Sequence, residues 1–268
     1  PIEGGYIDYV PGYPLSGIVN DLALDLTPAS LLAQHGLTDP SSASLGFHVM
    51  EFLLWCADGQ RTASDYLPHG NTAAVLGLLQ DGGIDSFSGA IGIQNNERRR
   101  QYLQLVADAI SEHMRRLERR WEPGAGYYAT LIDRSKPSQT LTAGLQAANK
   151  LLNDEIAGKR LELISSKFSG SSRDDISALL QGLELWMLNE EEGVLKLLPG
   201  DQQSLRSQWE ELLAALYTSM DPSSPMENSS QTPAHLIGQL QSLLRLTASK
   251  AGVQIGSAAP LSESAKPG

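Results

Sequence analysis

His48 and Glu51 stand three residues apart in the run Leu45-Gly46-Phe47-His48-Val49-Met50-Glu51-Phe52-Leu53-Leu54-Trp55-Cys56, where every other side chain is apolar. In a helix, residues at i and i+3 are neighbours, so the imidazole and the carboxylate share a face that Phe52 and Trp55 continue. A helix that is apolar on all sides is expected to be buried on all sides. An unpaired carboxylate costs several kcal/mol in such a setting, and an imidazole also needs partners, so a cation or donors must compensate. A metal ion is one answer. Imidazole nitrogen and carboxylate oxygen suit Fe, Zn or Mn, although two ligands do not hold a metal alone. The other answer is a buried His48–Glu51 hydrogen bond with Arg61 as counter-ion. The chain has no His-Glu-x-x-His, the helical zinc-protease pattern, so Glu51 is a ligand or a base without a second histidine one turn away.

Further polar residues could complete or support such a site. Asp8, Asp21 and Asp65 offer oxygen ligands or carboxylates that orient His48 from behind; each also suits a turn or a cap. Asn20 belongs to the same opening stretch, in which Tyr6, Asp8, Tyr9, Tyr13, Asn20 and Asp21 are concentrated. His113 lies beside an apolar helical stripe, as an edge-of-core residue or a distal third ligand. His35, His69 and His235 fall in or near loops and helix starts, where exposure is expected. Seven of the thirteen arginines, Arg98, Arg99, Arg100, Arg115, Arg116, Arg119 and Arg120, fall in one helical stretch. Glu97, Glu112 and Glu118 are interleaved with them, so a solvated, ion-paired face is expected rather than a phosphate-binding one. Cys56 reads as a small core hydrophobe, and Trp55, Trp121, Trp186 and Trp209 as packing residues.

The elements that must position these residues are helical. Leu occurs 42 times and Val 7 times in 268 residues, and aromatics are 6%, a balance that favours helices and excludes an all-β fold. Residues 1–26 read as an ordered but irregular arm, and Thr27-Pro28 caps a short helix that Gly36 stops. A second helix is expected from Ser44 to Cys56, a short one from Asn71 to Gln80, and a Gly-rich loop from Asp81 to Asn95. Leu103, Val106, Ile110, Met114, Leu117 and Trp121 then define a long amphipathic helix, capped by Asn95 or Asn96 and stopped at Pro123-Gly124. Periodic stretches follow around Leu141–Leu152, Ile176–Met187, Leu205–Met220 and Leu236–Leu243. Asp221–Gln231 reads as a linker, and the tail after Gly256 as frayed. The expectation is an all-α chain of two packed helical-bundle domains, residues 1–134 and 135–268.

The charge of −11 disfavours nucleic acid as a partner. Cys56 is the only cysteine, which excludes an internal disulfide and a Cys-based zinc site. No apolar run is long enough to span a bilayer. The opening Pro1-Ile2-Glu3-Gly4-Gly5 leaves room for an export signal, anchor or leading helix ahead of it.

Gly46-Phe47-His48-Val49-Met50-Glu51-Phe52-Leu53-Leu54-Trp55 closely resembles the Gly-x-His-x-x-Glu-Phe-Leu-Leu-Trp signature of the imelysin-like family. Tyr6 to Val10 and Ser16 to Asp21 resemble the family's preceding arm, Arg61 to Asp65 its Arg-x-x-x-Asp, Arg99 to Leu103 the start of its long helix, and Glu155 to Arg160 its Glu-Leu-Ala-Gly-Glu-Arg. Ser166-Lys167-Phe168-Ser169-Gly170-Ser171-Ser172 keeps the serines and phenylalanine of its Ser-x-Phe-Ser-Asp-Asn-Thr but not the last three residues. The resemblance implies two helical bundles, a bacterial periplasmic or outer-membrane-associated location, a part in iron uptake, and a site between the domains containing His48 and Glu51. Iron or zinc is the implied metal, alone or within a ligand. Asp8, Asn20, Asp21, Arg61, Asp65, Ser166 and Ser169 are supporting candidates, and envelope iron-uptake proteins are the implied partners. A metallopeptidase using the same His-x-x-Glu residues is the alternative, and an adaptor with a decayed site is a third reading.

Overall fold

The structure is a computed structural model, described over residues 2–10, 13, 16–67, 95–161, 166–220 and 232–255. It is all-α, with no strand among these residues. The expected helix at 71–80, loop at 81–94, linker at 221–231 and tail after 256 lie outside the described residues, as does His69. The chain divides into one unit of Pro1–Ala129 with Ser166–Gly170, and another of Thr130–Ser165 with Ser171–Gly268.

In the first unit, the arm forms one helical turn, α1 (Gly4–Ile7), and otherwise stays irregular. Its shape depends on Gly17, where φ is +87° and a Cβ would overlap the backbone of Ile7 and Asp8. That close approach lets Val19 N donate to Ile7 O at 3.1 Å. Helix α2 (Pro28–Gln34) begins as the sequence predicts, with Thr27 Oγ1 accepting from Ser30 N at 3.1 Å and Ser30 Oγ accepting from Thr27 N at 3.0 Å. Helix α3 (Phe47–Trp55) starts three residues later than expected. Gly46 has φ +115°, and Ser44 is used elsewhere: its hydroxyl donates to Leu31 O at 2.5 Å, while its N–H and that of Leu45 donate to His35 Nδ1 at 3.2 Å.

The expectation that α3 is buried all round does not hold. Val49, Glu51, Phe52 and Leu53 are buried, but Phe47 is 63% exposed and Trp55 40% exposed. After a 3-10 turn at Ala63–Tyr66, the long helix α4 runs Asn96–Trp121. Its buried residues are Asn96, Arg99, Tyr102 and Val106, all in its first half. Of these, Tyr102 and Val106 pack with Ile7, Leu31, Val49, Phe52 and Leu53 in one apolar cluster that Phe168 also joins. His113 is exposed on the second half of α4, not at the edge of the core.

Helix α5 (Tyr127–Arg134) carries the chain into the second unit. There α6 (Pro137–Lys150) runs on into a ten-residue π-helical segment, Leu151–Arg160, closed by Leu161 N donating to Ile156 O at 2.9 Å. Helices α7 (Ser172–Leu188), α8 (Gln202–Met220) and α9 (Pro233–Lys250) complete it. Their leucines, at the predicted spacings, form a core around Trp209, whose Nε1 donates to Thr247 Oγ1 at 3.1 Å. Trp209 is the one tryptophan that is fully core; Trp55, Trp121 and Trp186 keep exposed surface. Among the described residues no helix is long and apolar enough to cross a membrane.

Candidate functional site

The polar pair on α3 is joined as its spacing predicts, with His48 Nδ1 3.2 Å from Glu51 Oε2. Glu51 is buried, whereas 40% of the His48 side chain is exposed. The other carboxylate oxygen is taken up by a turn from far along the chain: Glu51 Oε1 accepts from Phe168 N at 3.0 Å, Ser169 N at 2.9 Å and Ser169 Oγ at 2.8 Å. Three donors on one oxygen satisfy a buried carboxylate without a metal. Phe168 secures the turn by packing its ring edge-on against Phe52, with centroids 4.9 Å apart. All of these groups belong to the first unit.

The geometry gives the two residues different roles. In a neutral imidazole, this contact makes Nδ1–H the donor to Glu51 and selects the tautomer whose lone pair is on Nε2. Nε2 has no hydrogen-bond partner among the described residues. A histidine held in this way is the usual arrangement of a metal ligand backed by a carboxylate, in which the carboxylate orients and does not coordinate. The donor set at this point is therefore one imidazole nitrogen. Among the described residues, no three His, Cys, Asp or Glu side chains gather into a metal-holding group.

The supporting candidates divide. Asp8, Asn20 and Arg61 come together beneath α3, but as a buried network. Asp8 is fully buried, with Arg99 Nε at 2.5 Å and Arg61 Nη2 at 3.0 Å from its Oδ2, while its Oδ1 accepts from Tyr9 N at 2.8 Å. Asn20 Nδ2 reaches the same Oδ1 at 3.4 Å, and Asn20 Oδ1 accepts from Asn95 Nδ2 at 2.8 Å. With its oxygens so occupied, Asp8 holds guanidinium groups in place of a metal. Arg61 does not face Glu51; Nη1 donates to Leu53 O at 2.9 Å, so together with the Tyr66 hydroxyl on the same oxygen it ties down the last turn of α3. Burial is the largest single influence on Arg61 and disfavours its charge, but Asp8, Cys56, Tyr66 and Tyr9 together outweigh it and hold the pKa above the ordinary value. Burial raises Tyr9 and Tyr66, partly opposed by the nearby guanidinium groups.

Asp21 and Asp65 are local capping residues. Asp21 Oδ1 accepts from Ala23 N at 3.0 Å, and Asp65 Oδ2 from Thr62 N at 2.7 Å. Ser169 touches Glu51 directly, and Ser166 is buried at the start of the same turn, where its carbonyl accepts from Gly170 N at 3.0 Å.

Two arginines depart from the expected solvated face. Arg99 is buried, donating to Asp8, to Asp65 O at 2.8 Å and to Asn96 Oδ1 at 2.7 Å. Arg98 gathers the arm by donating to the carbonyls of Val19, Ile18, Asp21 and Leu24 at 2.9, 3.3, 2.7 and 3.0 Å. A signal for Arg99 was present: at i, i+3 and i+7 it shares a helix face with Tyr102 and Val106. The Phe168 amide had no such signal, because any residue type supplies an N–H.

The comparisons with known proteins agree with the resemblance carried by the α3 motif. No curated protein and no solved structure matches the chain. The Imelysin (Peptidase_M75) family, however, matches residues 1–249 of the 268. The match takes in the arm, the His-x-x-Glu helix, the turn that covers Glu51 and the helices of the second unit, and the chain belongs to the imelysin family.

Proposed function

We propose that this chain serves bacterial iron uptake at the cell envelope, binding a metal that arrives within its own ligand through the Nε2 atom of His48. The reading rests on one observation: a half-exposed imidazole whose inner nitrogen is held by a buried carboxylate that the Phe168–Ser169 turn holds in its turn. One imidazole nitrogen fits as a donor to a metal whose remaining coordination is supplied by the complex, and it suits iron or zinc. His48 supplies the bond, Glu51 fixes the imidazole, and Phe168 and Ser169 fix Glu51. Asp8, Arg61 and Arg99 keep the end of α3 in register. The periplasm is the proposed location.

The metallopeptidase alternative fits the geometry less well. Glu51 Oε1 already accepts three hydrogen bonds, which leaves it poorly placed to take a proton from water, and a hydrolytic site needs several protein ligands with one open position.

The test is calorimetric titration of the full chain with ferric citrate, haemin and free zinc, using wild type, His48→Ala and Glu51→Gln. In Glu51→Gln the side-chain carbonyl can still accept from Phe168 and Ser169, but its amide would face His48 Nδ1 as a donor. That places the imidazole proton on Nε2 and removes the outward lone pair. Binding of a chelated iron species is expected in the wild type and lost in both variants, with thermal stability less affected in Glu51→Gln than in a Glu51→Ala control. Unchanged binding in His48→Ala would overturn the assignment. Cleavage of a peptide panel by wild type, abolished by both substitutions, would favour the peptidase reading instead.

A further inference from the structure

The second half of α4 buries none of its residues, yet it is amphipathic. Ile110, Met114, Leu117 and Trp121 recur at spacings of four, three and four and so form one stripe. Met114, Leu117 and Trp121 are all exposed, Trp121 by 52%. The stripe continues beyond the Pro123-Gly124 turn into α5, where Tyr128 lies 5.1 Å from Trp121 and the exposed Tyr127 lies 5.2 Å from Tyr128. The opposite face is basic. Arg115, Arg116 and Arg119 all converge on Glu112, at 3.8, 3.0 and 3.4 Å, and one carboxylate cannot neutralise three guanidinium groups. Residues 112–121 carry four arginines against two glutamates in a chain whose net charge is −11.

We infer that this stretch, with the aromatic rings at its tip, is a docking surface for an anionic lipid bilayer. An amphipathic helix with arginines on one face and Trp, Leu and Met on the other lies in the plane of a membrane interface, its apolar side among the acyl chains and its guanidinium groups reaching phosphates. Trp and Tyr prefer the headgroup level, where one end of the ring is wet and the other is not. Charge selects this occupant over a second copy of the chain, which would bring a like-charged stretch alongside, whereas an anionic bilayer supplies phosphates to every arginine. The inference is independent of His48 and goes beyond the function proposed above.

Co-sedimentation of the full chain with phosphatidylglycerol-containing vesicles, against phosphatidylcholine alone, tests it. Binding to the anionic vesicles only is expected, weakening as salt is raised. Arg116→Glu with Arg119→Glu should reduce it by about tenfold or more, since each arginine near the surface adds to the attraction and each glutamate opposes it. Trp121→Ser should also weaken it, and His48→Ala should leave it unchanged. Arg116, Arg119 and Trp121 are exposed, and circular dichroism will confirm that the variants remain folded. Absence of binding by the wild type, or binding indifferent to the charge reversal, overturns the inference. Self-association lost in Trp121→Ser, without vesicle binding, overturns it in favour of a second copy.

Discussion

At the scale of single residues, a carboxylate's role follows from what already occupies its oxygens. Asp8 and Glu51 were both legible as candidate ligands, since each is an acid in an apolar or aromatic setting. Their burial was legible only for Glu51, where nine apolar neighbours enclose the residue in sequence. Asp8 gave no such sign, because its partners Arg61 and Arg99 are brought to it from 53 and 91 residues away. Asp8→Asn leaves two guanidinium groups buried without their counter-charge. It is expected to cost about 3–5 kcal/mol in urea unfolding, with the apolar core otherwise intact. A loss under about 1 kcal/mol would mean that the network is not what holds the arm to α4.

At the scale of elements, periodicity located α6, α7, α8, α9 and the long helix α4, because those helices bury one stripe and the stripe repeats, whereas α5, which buries no residue, gave no such signal. Helix α3 was found but misjudged at both ends. Its start depends on a glycine conformation, and its burial was inferred from composition although Phe47 and Trp55 point outward. Its far end carries a further feature. Cys56 stops the helix with φ +64° and ψ −177°, a region that essentially only glycine visits and that costs other residues about 1–3 kcal/mol. Cys56→Gly is therefore expected to keep or raise the melting temperature despite losing a buried thiol, whereas Cys56→Val, branched at Cβ, should lower it. Thermal melts of the two variants decide this, and a lower melting temperature for glycine than for valine would show that packing of the thiol outweighs the backbone.

At the scale of the whole molecule, each unit holds a phenol that resists ionisation, Tyr102 fully buried and Tyr217 half-buried. Burial first, then Tyr6 and Asp8, raises Tyr102 in the first unit; burial first, then the hydrogen bond to Glu184, raises Tyr217 in the second. A group whose pKa is higher folded than unfolded contributes its full stability below the unfolded value, near 10 for tyrosine, and loses it as pH rises toward the folded value. Urea midpoints are thus expected to be flat from about pH 7 to 9 and to fall above about pH 10. A midpoint unchanged at about pH 11 would mean that the phenols are not enclosed as described. The sequence predicted two contiguous blocks of helices, and no local pattern could announce that residues 166–170 would belong with the first. That excursion has a consequence for the order of events during synthesis. The acid at position 51 leaves the ribosome well over a hundred residues before the amides of Phe168 and Ser169 that satisfy it. A nascent chain therefore carries α3 with one carboxylate oxygen still bound to water, and Glu51 is fixed from behind only after Thr130–Ser165, the first stretch of the second unit, has been made.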